Sequence, residues 1–325
     1  MVKATIVTGL QHGDEGKGKI VNSLVPEFDY VCRYQGGPNA GHTVYINGVK
    51  YVTHGMPSGA LLGVRSYIGP GCVLDVHKFL AELASLPVDP SLIKIHPNCH
   101  IIQPEHILQD SNTGSTLGTT KSGIGPCYAA KAERLHALRA CQVPELADFV
   151  EEIKLEGTVL CEGAQGIWLD PDHGNYPYVT SSSTLPTAAC TLGFSYNDIE
   201  QVIGVAKAYD TRVGEDPDFP EPRDSLLTKL AELGNEFGAT TGRPRRCRWL
   251  DLDRLIAAIR LSGADTVIIN KVDVLEQLGH FRYTHNGKLI ACEHLTNWKL
   301  SVEYIIRSNC PHVLVMHFSD NPYDL

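Results

Sequence analysis

The sequence predicts an α/β fold with a mainly parallel central sheet flanked by helices. Three observations carry that expectation. Short runs rich in β-branched residues recur along the chain, amphipathic helical patterns lie between them, and the runs are apolar on both faces. Strands covered by helices on both sides must read this way. The predicted strands are Ala4 to Thr8, ending at Gly9, then Tyr30 to Tyr34, ending at Gly36-Gly37, then Thr158 to Cys161, Val202 to Tyr209, Thr266 to Asn270 and Val313 to Phe318. Helices are predicted at Val76 to Ser85, Pro144 to Leu155, Leu250 to Leu261 and Trp298 to Ser308. Prolines and acids crowd between Asp216 and Arg223, which reads as a loop. No repeat, low-complexity tract or linker divides residues 1–325, so a single domain is expected.

Composition narrows the function classes. Of 325 residues, 43% are hydrophobic and 20% charged, as in soluble globular proteins. The formal charge is −9, which argues against a general nucleic-acid or membrane-surface binder. Small phosphorylated substrates stay compatible with it. Ten cysteines are present, and no two form a C-x-x-C pair, so buried small side chains in a reducing compartment are expected rather than a zinc or disulfide framework. No apolar run approaches the ~20 residues of a membrane span. The N-terminus enters a strand with no signal-peptide cleavage region, so a cytoplasmic location is expected.

The chemistry is concentrated in a few segments. Gly9-Leu-Gln-His-Gly-Asp14-Glu-Gly16-Lys17-Gly18-Lys19 follows a strand and precedes an apolar stretch. Such glycines let the backbone approach a polyphosphate, and a helix N-terminus favours anions. Its spacing is not that of a Walker A loop, and no Ser or Thr follows Lys17. Asp14 repels phosphate unless it binds magnesium or acts as a base. Gln35-Gly-Gly-Pro-Asn39-Ala-Gly41-His42-Thr43 sits at another strand end, and His42 could donate to a developing oxyanion. Gly118-Thr119-Thr120 suits a monophosphate, and Gly238-Ala-Thr240-Thr241-Gly242-Arg243-Pro-Arg245-Arg246 suits a carboxylate, which arginine binds bidentately. Asn270-Lys271-Val272-Asp273 resembles the guanine-reading loop of GTPases. Singly, the first segment reads equally well as a glycine-rich turn with surface charges, and the downstream segments read more readily as polar loops without a ligand.

Together and in this order, the segments Gly13-Asp-Glu-Gly-Lys-Gly-Lys19, Gly37-Pro-Asn-Ala-Gly-His-Thr43, Glu162-Gly-Ala-Gln-Gly166, Tyr176-Pro-Tyr-Val-Thr-Ser181 and Gly238-Ala-Thr-Thr-Gly-Arg243 resemble the adenylosuccinate synthetase family, from about Val7 to Asp273. The resemblance implies a P-loop-NTPase-like fold and a two-step ligation. A triphosphate phosphorylates the purine 6-oxygen, and L-aspartate's amine then displaces that phosphate. It implies Asp14 as base and, with the Gly41 carbonyl, as ligand of Mg2+. It implies His42, Lys17 and Gln165 as catalytic partners. Gly13, Glu15, Gly16, Gly18, Lys19, Thr43, Arg245, Lys271 and Asp273 complete the donor site. Ser23, Asn39, Thr119, Thr120, Leu169, Thr180, Val213 and Gly214 would bind the purine nucleoside monophosphate, with Arg134 reaching in from the neighbouring subunit of a homodimer. Thr240, Thr241, Arg243 and Arg245 would grip aspartate.

Departures from the family pattern bear on specificity. The chain is short beside typical bacterial members, and the family's Ser-Thr-Gly-Pro guanine contact has no match after Ser319-Asp-Asn-Pro322. Asn22-Ser23 replaces the usual Asp-Leu, Glu215-Asp216 replaces two small residues, Arg248 replaces glycine, and Trp168 is bulky for its place. A phage branch of the superfamily acts on dGMP, makes the 2-amino analogue of adenylosuccinate and accepts ATP or dATP. The departures favour that branch over the ordinary IMP- and GTP-dependent enzyme. The host cytoplasm would then be the location. Of other classes, a non-catalytic nucleotide-binding regulator predicts loss of Asp14, His42 or Gln165, and a GTPase switch predicts a Walker A sequence.

Overall fold

The computed structural model describes residues 1–39, 41–46, 49–113, 118–237 and 242–320. Eight strands form its central sheet: β1 (Val2–Gly9), β2 (Tyr30–Arg33), β3 (Arg65–Ile68), β4 (Ile93–Ile95), β5 (Gly157–Glu162), β6 (Ile199–Lys207), β7 (Thr266–Asn270) and β8 (Val315–Phe318). Their order is β8-β7-β6-β1-β5-β2-β3-β4, and every neighbouring pair is parallel. Both faces of β1 are covered. Val7 packs with Ile20, Val21, Val31 and Leu160 on one side; Ala4 and Ile6 pack with Cys32, Cys161 and Ala189 on the other. Each buried Val, Leu or Ile among these stabilises the fold by roughly 1.5–3 kcal/mol. From β1 the chain first travels toward β4 and later, after β5, toward β8. The carboxyl end of β1 therefore lies at the change of direction, where open α/β sheets bind ligands.

The helices follow their sequence signals. Val76–Ser85 runs over the predicted residues, with the Asp75 carboxylate accepting from Lys78 N. Leu252–Ser262 is capped by Asp251 and stops at Gly263, whose φ of 68° suits glycine. Leu295–Asn309 brackets the predicted Trp298 to Ser308. The expected helix over Pro144 to Leu155 does not form. Only Pro144–Leu146 makes a 3-10 turn. Beyond it, Ile95 N donates to Phe149 O at 2.9 Å and Glu151 N to Ile95 O at 3.1 Å. The backbone is captured by the sheet edge, while Leu146, Phe149 and Val150 pack around Phe79.

The strand expected over Val202 to Tyr209 is divided. β6 ends at Lys207, Ala208 N donates to Asn270 O at 2.8 Å, and Tyr209–Arg212 runs antiparallel to Arg246–Asp251 in a second sheet. That sheet continues through Phe281–His285 and Lys288–Cys292. Their hairpin turns at Asn286-Gly287, both with positive φ, a signal visible in the sequence. Among the described residues no helix is long and apolar enough to cross a membrane. All ten cysteines are free thiols, and seven are buried.

Candidate active site

The turn after β1 is built around a buried carboxylate. Glu15 Oε1 accepts from Gly13 N at 2.8 Å and Gln11 N at 3.2 Å, and Oε2 pairs with Lys17 Nζ at 2.6 Å. A Cβ on Gly9 would stand 2.5 Å from this carboxylate, and one on Gly166 would stand 2.4 Å away. Only glycine leaves it room. Glu15 thus shapes the turn from inside instead of facing outward as a donor contact. Lys17 opens the helix Lys17–Leu24 and is also committed, its Nζ donating to Gln165 O at 2.5 Å. Gly18 is buried in the first turn of this helix, and Lys19 Nζ donates to Ser319 Oγ at 2.5 Å. Asn270, at the end of β7, donates to Glu15 O at 2.8 Å. Gln11 clasps the turn to the crossing between the sheets, accepting from Lys207 N at 2.8 Å and donating to the Lys207 and Tyr209 carbonyls. Asp14, with a φ of 61°, is exposed, as is Gly16. Its Oδ2 accepts from Arg245 Nε at 2.8 Å.

The ends of β2 and β5 supply the next group. Gln165 adopts a φ of 57° and donates from Nε2 to Asn39 Oδ1 at 3.3 Å. His42 opens the strand His42–Ile46, and its Nδ1 is hydrogen-bonded to Glu162 Oε1. Glu162 is fully buried and is held by Ser58 N at 3.0 Å and Ser58 Oγ at 3.1 Å. Burial first, then Arg33, Lys17 and His54, push the His42 pKa well down. Nε2 is the ring nitrogen left for a ligand. The Thr43 side chain lies outside the described residues.

Three loops meet beside this group. Asp110 pins the hydroxyl loop, accepting from Thr119 Oγ1 at 2.7 Å and Gly123 N at 2.8 Å, while Thr120 Oγ1 contacts Ser122 Oγ at 3.2 Å. Arg243 Nη1 donates to Gly118 O at 3.0 Å, and Arg246 donates to Gly214 O, beside half-buried Val213. Thr180 N donates to Leu169 O at 2.7 Å, and Leu169 lies against Gly13. Thr240 and Thr241 lie outside the described residues. Lys271 Nζ donates to Gly234 O at 3.0 Å, and Asp273 is in the first turn of Val272–Leu278. Arg134 stands apart, exposed just after the helix Ile124–Glu133, in a groove with Lys131, Arg139 and His100.

Asp216, one of the two acids that depart from the family pattern, is spent internally. It pairs with Arg212 at 3.0 Å and accepts from Asn175 Nδ2 at 2.6 Å and Asp218 N at 2.9 Å. Glu215 is exposed. Arg248 stacks on Phe219 at 4.2 Å and donates to Asp218 O, so two departures from the family pattern brace one loop. Ser23 Oγ donates to Lys19 O at 3.2 Å. Asn22 Oδ1 is buried without a partner among the described residues.

Sequence reasoning overlooked Glu162, Asp110, Lys207 and Glu236 as parts of the site. Glu162 was visible at a strand end beside Gln165, whereas Glu236 carries no local mark. Among the described residues no cluster of three His, Cys, Asp or Glu side chains could hold a metal. A magnesium ion needs no such cage when phosphates and water supply most of its oxygens. An exposed Asp14 carboxylate fits that partial role.

The fold and the site define a nucleotide-handling α/β protein whose phosphate-binding turn carries its own carboxylate. The adenylosuccinate synthetase family model matches residues 6–156 and 146–297. The chain is 39% identical to the adenylosuccinate synthetase of Thermodesulfovibrio yellowstonii, covering 85% of this chain and 78% of that one. It is 36% identical to that of Helicobacter hepaticus, covering 88% and 84%. Its fold matches the fully ligated adenylosuccinate synthetase of Plasmodium falciparum with a TM-score of 0.86 at 26% identity, over 98% and 97% of the two chains. It also matches the succinoaminodeoxyadenylate synthetase of cyanophage S-2L, bound to dGMP and dATP, with a TM-score of 0.75 at 23% identity, over 99% and 93%. The chain belongs to the adenylosuccinate synthetase family, and it is a carbon–nitrogen ligase.

Proposed function

We propose that this ligase joins L-aspartate to the 6-position of dGMP, with ATP or dATP as phosphoryl donor. The observation that carries the acceptor is Asn22. Its Oδ1 is buried and unpartnered, on the helix that follows the phosphate turn and packs against the His42 strand. A buried acceptor left unsatisfied costs about 1–3 kcal/mol. The 2-amino group of guanine is a donor that hypoxanthine lacks, and it would relieve that cost. The cyanophage S-2L enzyme, alike in fold, is itself bound to dGMP and dATP. For the donor, Asp273 can accept from an exocyclic amine, which adenine offers at its 6-position.

In this reading Asp14 takes the proton from purine N1, and the 6-oxygen attacks the terminal phosphate of the donor. His42 Nε2 and Lys17 stabilise charge on the transferring group, while Gln165 holds the 6-phosphoryl intermediate. The amine of aspartate, gripped by Arg243 and Arg245, displaces phosphate. Asn39, Thr119, Thr120 and Thr180 bind the monophosphate. Asp14 and the Gly41 carbonyl would hold magnesium, which neutralises donor phosphate charge. Positioning and charge stabilisation are what phosphoryl transfer mainly requires. The whole chain acts as one catalytic unit, since residues from Asp14 to Asp273 contribute.

A second reading, IMP with GTP, is favoured by the curated relatives at 36–39% identity, all named adenylosuccinate synthetase. The deciding experiment is a matrix of IMP, GMP and dGMP against GTP, ATP and dATP with aspartate, products identified by mass. The expected result is the 2-amino product from dGMP, with ATP or dATP at least as effective as GTP. Asn22→Leu, which removes the acceptor at similar volume, should shift preference toward IMP by roughly 5- to 100-fold, the equivalent of one lost buried partner. Product from IMP alone, with strict dependence on GTP, rejects the proposal.

A further inference from the structure

One buried carboxylate beside the site has no part in the proposed reaction. Glu236 is 1% exposed. It accepts from Tyr209 Oη at 2.6 Å, Arg245 Nη1 at 2.7 Å and Lys207 Nζ at 3.1 Å. Burial works to raise its pKa, but Lys207, Arg245, the Tyr209 hydrogen bond and Lys271 outweigh burial and bring it to about 2. The group is therefore an anion at any working pH.

Arg245 spans from this anion to the proposed base. Nη1 is on Glu236, Nε is on Asp14 Oδ2 at 2.8 Å, and Nη2 makes no hydrogen bond among the described residues. Lys207 ends β6 and is itself 1% exposed, so Glu236 is anchored from the central sheet. Without Glu236, two cations would face each other across a poorly solvated gap, and the guanidinium would swing away.

We infer that Glu236 is a positioning residue, which holds Arg245 with Nε against Asp14 and Nη2 open to the carboxylate of incoming aspartate. This rests on the proposed role of Arg245 in gripping aspartate. It makes Glu236 a determinant of aspartate use, although Glu236 touches no substrate.

The test is steady-state kinetics of the full chain at saturating monophosphate and triphosphate. Glu236→Gln removes the anion. Lys207→Met combined with Glu236→Gln removes it with its buried counter-charge, which spares the fold an unpaired lysine. Glu236→Asp keeps the charge but draws it back by one methylene. The aspartate KM should rise about 10-fold or more in the first two, the worth of a lost charge-assisted contact, and by a smaller ~3-fold step in Glu236→Asp. The monophosphate KM should stay within about twofold in all of them, since ground-state binding there is untouched. An unchanged aspartate KM in the folded double variant, or in Glu236→Asp where only that variant folds, overturns the inference. Wild-type turnover that ignores aspartate overturns the reaction itself and leaves the Arg245 geometry unexplained.

Discussion

His42 and Glu162 form a pair in which one side chain is placed to meet a phosphoryl group and the other aims it. Glu162 fixes the ring through Nδ1, and Ser58 fixes Glu162. With Nδ1–H given to the Glu162 carboxylate, a hydrogen bond from Nε2 to a phosphate oxygen requires the ring to carry both protons. Burial opposes that form, and the Glu162 carboxylate favours it. Glu162→Gln should lower kcat by at least ~10-fold, in the range of a lost electrostatic orienter, with the monophosphate KM within about twofold. Phosphate release measured at saturating substrates checks this, and an unchanged kcat removes Glu162 from the mechanism. Asp14 stands out in the sequence because a carboxylate in a glycine-rich strand-to-helix turn is anomalous. The Glu162 partnership does not, because its two members are 120 residues apart and only the adjacency of β2 and β5 brings them together.

The strand Tyr209–Arg212 places another buried acid, Asp210. Its carboxyl accepts from Asp251 N at 2.9 Å, and burial pushes its pKa from 3.8 up to about 7. The folded chain therefore holds this proton more tightly than the unfolded chain. The contribution of this one group is full below about pH 4, falls as pH rises toward 7 and is lost above it, with a ceiling of about 4 kcal/mol at ~1.4 kcal/mol per unit. Asp210→Asn keeps an acceptor for Asp251 N and removes the charge. Its stability gain over wild type should grow between pH 4 and 7 and level off beyond. Denaturant unfolding across that range measures it, and a gain independent of pH shows that Asp210 titrates normally. Helices with a cap and a stop were readable, as at Asp75 and at Asp251 with Gly263. Pro144 to Leu155 misled because its apolar spacing serves the sheet edge equally well, and periodicity does not name the partner.

At the scale of the molecule, Arg134 lies exposed and apart from the loops that gather around Asp14. We propose that it completes the monophosphate site of a second copy. Arg134→Leu should raise the monophosphate KM by about 10-fold or more while the triphosphate KM moves little. Mixed with Asp14→Ala, which alone should lose at least ~100-fold in turnover, it should regain activity through hybrid dimers that hold one intact site. Demonstrably mixed dimers with no recovery argue that each site is self-contained.

The residue types by themselves determined the α/β class, the strands at β1, β2, β5 and β7, and the chemical character of each loop, because burial on both faces, glycine turns and charged hydroxyl loops are local properties. Order along the chain was enough to indicate the family. The tertiary structure decided which of those loops share a space. It turned Glu15 inward, consumed Asp216 in a brace, and split the run after Val202 so that Arg245 reaches Asp14, 231 residues away. Pairings of that kind depend on strand order and on which buried charges can neutralise one another. Neither is written in any single stretch of sequence, because the energy that selects them arises only when distant segments lose their water together.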